Sequence, residues 1–227
     1  MNTLFLTEHW LDWLALAFFA GSWWAYAHHA DHAGQQNLLS ATNRYRLQWM
    51  REMLSRENRT IDAIMVGNLS RSITFFANTT IFILLGLMTL LGYGDKASKV
   101  LEAIPFVEPA NGFIWELKIF VLIIIFIYAF FKYSWSMRQY NYAGIYIAAA
   151  PPRESLDSDR EVVAQNGAWL IGNAARHFNN GLRAYYFGLA ALAWFVHPLL
   201  FLAATGWVLF VTHRREYRSG TLSNLNR

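Results

Sequence analysis

The feature that most constrains this chain is an apolar run near its centre. From Ile119 to Phe131, thirteen consecutive residues carry no polar side chain except the phenol of Tyr128. In a wider window, Ile114 to Tyr133 reads as a helix made to cross a lipid bilayer. Its flanks are short for that task. Lys118 and Lys132 are fourteen positions apart, about 21 Å along a helix, whereas a bilayer's hydrocarbon core is about 30 Å thick. One lysine must snorkel or be buried, so Glu116 and Lys118 become candidate intramembrane charges. Residues two apart on a helix point about 200° from each other, so these two do not pair. Lys118 needs a different partner, for which Asp12 and Glu8 stand at the same end. The alternative is a charged start to the span at the membrane boundary.

Composition agrees with a polytopic membrane protein: 55% of the 227 residues are hydrophobic, 17% aromatic and 15% charged. The formal charge of +4 comes from arginines flanking apolar runs, which suits anionic headgroups, and nothing reads as a nucleic-acid partner. The chain has no cysteine, which excludes disulfides, thiolate zinc sites and iron–sulfur clusters. Ala25-Tyr26-Ala27 follows an apolar run like a cleavage site. No Lys or Arg precedes Arg44, however, and Glu8 and Asp12 lie in the run, so a retained span is expected.

The fold class expected is an all-α polytopic membrane protein of four transmembrane helices, at about 6–27, 71–92, 114–135 and 185–211, plus a cytoplasmic interfacial amphipathic helix. That helix covers Leu38 to Leu54. Leu38, Leu39, Tyr45, Leu47, Trp49, Met50, Met53 and Leu54 fill one broad face, opposite Arg44, Gln48, Arg51 and Ser55. Arg46 falls inside the apolar arc and needs a partner or a route to water. Pro105 and Pro109 keep the link from Gly92 to Phe113 from forming a long helix, and Pro151-Pro152 ends the helix before it. Residues 153–165 read as solvated.

Orientation follows the basic residues: five Lys or Arg in 28–70, two in 92–113 and five in 134–184. The N-terminus is expected outside the cell (inner) membrane, with segments 28–70 and 136–184 cytoplasmic. Four spans then leave Arg214, Arg215 and Arg218 outside, against the rule. The last run, Tyr185 to Val211, holds His197-Pro198 at its middle. The expectation is an ordinary span, because Thr205 and Gly206 give little support to a re-entrant loop. The alternative is a hairpin broken at Pro198 that returns inside.

Several blocks together carry a family likeness: NLSRSITFFANTT from Asn68 to Thr80, Glu116-Leu117-Lys118, FKYSWSMRQYNY from Phe131 to Tyr142, and FNNGLRAYYF from Phe178 to Phe187. The chain resembles, from about Leu11 to Ser219, the uncharacterised membrane-protein family called domain of unknown function 599, known from bacteria and plants. The resemblance implies a four-span membrane protein and brings no activity with it.

Three groups of residues are candidates for chemistry. Arg71 and Asn78 lie with Ser70 and Thr74 on one stripe of the second span, and Arg176, Asn180 and Arg183 lie with Asn173 and His177 on another before the last run. If the stripes meet, they form a basic pocket for a phosphate or carboxylate, and anionic phospholipid is the expected partner. The plainer reading makes the arginines ordinary positive-inside anchors and the asparagines interhelical hydrogen bonds. His28 and His32 stand at i and i+4, a spacing that serves either an interfacial metal or amphipathic histidines at a headgroup boundary. His197 would be a haem ligand or proton relay, or more simply a hydrogen-bonding group beside the proline. No cofactor is assigned. No nucleophilic triad or phosphate loop appears, so an enzyme is unsupported. The leading expectation is a homo-oligomer that conducts or transports a small solute or ion. A structural or regulatory component binding anionic lipid or a protein is the alternative, and a metal- or haem-dependent membrane enzyme comes third.

Overall fold

A computed structural model of the chain describes residues 9–32, 37–92, 112–152, 154 and 157–225, with their side chains except at positions 31, 32, 157 and 158. Every regular element described is helical. In order these are α1 (Trp10–His32), α2 (Leu38–Ser55), α3 (Thr60–Gly92), α4 (Gly112–Ala148), α5 (Asp157–Leu192), a 3-10 turn (Ala193–Phe195), α6 (Pro198–Tyr217) and α7 (Gly220–Leu225). Glu8, Pro105 and Pro109 lie outside the described residues.

The helices outrun the apolar stretches that nucleate them. α3 has 33 residues and α4 has 37, about 50 and 55 Å at 1.5 Å per residue. Both are long and apolar enough to cross a membrane. The hydropathy pattern locates their middles and misses their polar ends, from Thr60 to Ser70 and from Ser136 to Ala148, because backbone hydrogen bonding continues where side chains change character. Residues 157–165, expected to be solvated, likewise form the start of α5. α4 stops before Pro151-Pro152 as expected. Arg59 donates to the carbonyls of Ala150 and Pro151, at 2.8 and 2.6 Å, which satisfies acceptors left open just past the end of that helix.

The single span expected over 185–211 is instead two helices. α5 ends at Leu192, and α6 begins at Pro198. Phe187 and Phe201 are fourteen positions apart, about 21 Å in a straight helix. Their rings nevertheless both touch the ring of Phe19, at centroid distances of 5.5 and 5.0 Å. A continuing helix cannot do this, so the chain reverses between them. The local cause is His197-Pro198. Pro198 at the first helical position has no N–H to satisfy, and His197 Nδ1 accepts the N–H of Leu199 at 3.0 Å, acting as a side-chain cap. His197 is therefore a helix-starting residue.

By compactness the chain divides into two units. The first comprises Met1–Ala33, Ile81–Tyr128 and Arg183–Arg214. Its core is aromatic: Trp23 stacks on Phe187 at 5.4 Å and meets Tyr128 edge-on at 5.6 Å. Phe126, packed edge-on to Tyr185, would crowd any side chain at Gly188.

The second unit comprises Gly34–Thr80, Ala129–Leu182 and Arg215–Arg227. Here α2 forms as its amphipathic pattern predicts, begun by Asn37, whose side chain accepts the N–H of Ser40 at 2.8 Å. Its apolar face is inside the unit, with Met50, Met53 and Leu54 buried. It packs on α5 over Gly167, where an added Cβ would stand 2.9 Å from Met50 Sδ. Buried Asp62 ties the end of α2 to the start of α3, accepting from Trp49 Nε1 and Arg56 Nη1 at 2.6 Å each. Ser136 of α4 donates to the carbonyl of Ala174 in α5 at 2.6 Å, a buried interhelical bond of the kind that fixes helix register.

Candidate functional site

Two places concentrate polar groups, one in each unit. In the first unit Asp12 stands in the first turn of α1, where unsatisfied N–H groups favour a carboxylate. It is buried, and so is Lys118 of α4, which is 4% exposed. Lys118 Nζ lies 3.8 Å from Asp12 Oδ1, a charge contact too long for a strong hydrogen bond. The short bond to that oxygen comes from Trp194 Nε1, at 2.6 Å. His9 Nδ1 is 3.4 Å from the other carboxylate oxygen, and the ammonium also sits 5.5 Å from the centre of the Trp194 ring. Trp194 belongs to the 3-10 turn and stacks on Phe201 at 5.1 Å. The reversal that the sequence left undecided thus delivers the indole that clamps the carboxylate. Glu116, two residues from Lys118, is exposed. A buried carboxylate, a buried ammonium and the half-buried His9 imidazole are thus gathered in one place, the kind of grouping that marks ion pathways when it lies within a span.

In the second unit α2 and α5 enclose a cleft of about 240 Å³, lined by Asn43 and Leu47 from one side and Gln165, Trp169, Asn173 and Arg176 from the other. Gly172 lets the two helices approach here, because a Cβ on it would be 2.9 Å from Asn43 Oδ1. That oxygen accepts from Arg46 Nη1 at 2.7 Å, and Thr42 Oγ1 accepts from the same nitrogen at 2.9 Å. The arginine in the apolar arc of α2 has thereby found its partners. Burial pushes the Arg46 guanidinium below its ordinary value, which still leaves an arginine charged at neutral pH.

Next to the cleft Arg51 and Glu161 form a two-pronged pair, at 2.9 and 2.6 Å. The hydrogen bonds from Arg51 and then from Gln165 hold the Glu161 carboxyl at about 2. A depressed carboxylate contributes stability that is complete above its unfolded value, near 4.5, and is lost as pH falls toward about 2. Both side chains are largely open to solvent, so screening keeps the effect small. The melting-temperature difference between the native protein and Glu161→Gln is expected to be present at neutral pH and to shrink through that acid window. A difference that stays constant down to pH 2 would rule the pair out as its source.

Arg176 lines the cleft, with Asn173 beside it. Arg71 is exposed on α3, its Nη1 at 3.5 Å from Asn68 Oδ1. Asn78 is exposed on the same helix, and Asn180 is half-buried on α5. Arg183 belongs to the first unit, where its guanidinium lies 5.5 Å from the centre of the Tyr26 ring. His28 stacks on Trp24 at 5.7 Å. The His32 side chain lies outside the described residues. Among the described residues no three His, Asp or Glu side chains are grouped as a metal site would need. Trp194 and Asn43 carry no signal in the sequence as site residues, because each acquires its role only through a partner on another helix.

A family model described as "Protein of unknown function, DUF599" matches residues 13–221. The chain belongs to that family. The DUF599 match takes in Lys118, Trp194 and the whole α2–α5 cleft, and it begins one residue after Asp12. No curated protein and no solved structure matches this DUF599 chain.

Proposed function

We propose that this DUF599 protein is a multi-pass protein of the cell (inner) membrane that moves a small solute or ion, working as a homo-oligomer. The observation that carries the transport reading is the buried Asp12–Lys118 pair near the ends of two helices, since ionisable groups inside spans commonly mark ion pathways and proton relays. Membrane embedding is supported by rows of exposed apolar side chains. They run along α1 (Leu14, Phe18), α3 (Phe75, Phe82, Leu85), α4 (Phe120, Ile124, Ile127, Phe131) and α6 (Leu200, Trp207, Phe210). Apolar rows of this extent on several helices are costly in water and ordinary in lipid. Exposed Asn78 among those of α3 favours oligomerisation, because an amide facing lipid gains from a partner in a second copy.

In this reading α1, α3, α4, the second half of α5 and α6 cross the bilayer, five times in all, with the N-terminus outside. A reversal at 193–197 supports this reading through the basic rule, because α6 would then return Arg214, Arg215 and Arg218 to the cytoplasmic side. The contacts of α7 support this: the Leu225 carbonyl accepts from Arg44 Nη2 and Tyr45 Oη of α2, at 3.4 Å each. In proteoliposomes the native protein is expected to dissipate an imposed proton or ion gradient, and Asp12→Asn to abolish the flux. Native protein no more permeable than empty vesicles, across protons and the common monovalent ions, would end the transport reading.

A second reading is a structural or regulatory membrane component that binds anionic lipid or a protein on its cytoplasmic side. The donor-lined α2–α5 cleft favours it.

A further inference from the structure

We infer that the α2–α5 cleft is a binding site for one phosphate group, carried by a lipid headgroup or present as a small soluble phosphate. This deepens the second reading and rests on it only for the source of the phosphate. The donor set is what selects an anion. Arg176 supplies a guanidinium fork. Asn43 has its oxygen engaged by Arg46 at 2.7 Å, so its NH2 is the end left to a ligand. Asn173, one turn before Arg176 on α5, adds a second amide.

Charge is arranged the same way. Arg46, half-buried and bonded to the Asn43 oxygen, adds a second cation beside that amide. Glu161, a carboxylate bonded to the cleft residue Gln165 at 2.9 Å, is engaged by Arg51 on both oxygens. Its negative charge is therefore offset rather than presented to the cleft.

Size and lining narrow the ligand further. At about 240 Å³ the cleft is smaller than the usual pocket for a nucleotide or large cofactor, and it suits a phosphate with a few attached carbons. Leu47 and Trp169, the latter 65% exposed, provide an apolar wall at its rim, the arrangement an amphiphile needs. Gly172 is part of the site: a methyl group there would press on the oxygen that orients the Asn43 amide.

The test uses the full chain in nanodiscs. Native mass spectrometry would measure phosphatidylglycerol retained against phosphatidylcholine, and phosphorus NMR would follow inorganic phosphate added to the protein in phosphatidylcholine discs. Arg176→Gln is expected to weaken whichever ligand binds by about tenfold or more, the loss of one charge-assisted contact. Gly172→Ala should weaken it too, while Arg71→Gln, an exposed arginine away from the cleft, should leave it unchanged. Selective phosphatidylglycerol retention identifies a lipid source, and phosphate binding in neutral discs a soluble one. If neither probe binds, or if Arg71→Gln and Arg176→Gln lose it equally, the site is overturned and the positive charge is acting as a diffuse surface. Failure of the membrane reading looks different: alkaline carbonate would release the protein from membranes whatever its phosphate binding.

Discussion

Replacing Lys118 with methionine is expected to destabilise the folded protein by about 3–5 kcal/mol, the usual cost of leaving one partner of a buried ion pair alone. Asp12 and Lys118 are 7% and 4% exposed, so little water reaches the charge that remains. Trp194 and His9 still face the Asp12 carboxylate, but a neutral indole N–H cannot replace an ammonium. Pairing Lys118→Met with Asp12→Asn should recover part of the loss, because the amide oxygen keeps an acceptor for Trp194 while the orphaned charge disappears. A coupling between the two substitutions of about 0.5–3 kcal/mol is expected, as for residues in direct contact. Thermal unfolding of the four proteins in a mild detergent measures it. Additive losses would mean that Lys118 is held by something other than Asp12.

The second large effect belongs to Gly181. A Cβ there would lie 2.5 to 2.8 Å from three atoms of the Tyr133 ring, a separation that real side chains do not tolerate. Tyr133 cannot yield easily. It is fully buried and held between Phe76 and Phe178, at centroid distances of 5.5 and 5.8 Å. Gly181→Val, which adds two further methyl groups, is therefore expected to cost about 3 kcal/mol or more, at the upper end for overpacked cores. The readout is the fraction of protein eluting as a sharp folded peak in detergent, with its melting temperature. Native behaviour in that variant would mean that α4 and α5 separate freely at this point, contrary to the packing described.

How much of this was legible in the sequence depended on whether the signal was local. α2 is readable almost to the residue, because its apolar positions repeat on one face and Asn37 supplies a cap. The middles of α3 and α4 are readable from their apolar runs, whereas their polar extensions are not, since hydropathy reports the solvent of a side chain and not the continuity of a helix. Lys118 can be singled out by counting against bilayer thickness, and Asp12 can be named as a partner because both belong to the same end of their helices. Trp194 cannot, as it is 182 positions from Asp12 and reaches it only through the reversal.

Pro198 is the instructive miss. A proline inside an apolar run permits a kink or a break, and the residues near it do not decide between them. What decides is a set of partners outside the run: Phe19 received by both arms, and Asp12 bonded to the indole of the turn. The basic stripe of α5 shows a similar limit. Arg176 is legible as a polar residue on a helix face, but the arginines grouped with it by the wheel go to different surroundings. The amide that stands opposite it, Asn43, is set by the close approach of α2 at Gly172.

The absence of cysteine permits a background-free test of the proposed fivefold crossing. Single cysteines at Thr3→Cys and Asn224→Cys, exposed in intact cells to a membrane-impermeant maleimide, report which side each end occupies. Five crossings predict labelling of Thr3→Cys from outside and labelling of Asn224→Cys only after the membrane is opened. Both positions labelled from outside in intact cells would contradict this, restoring an even number of crossings and denying that α6 returns the chain to the cytoplasm.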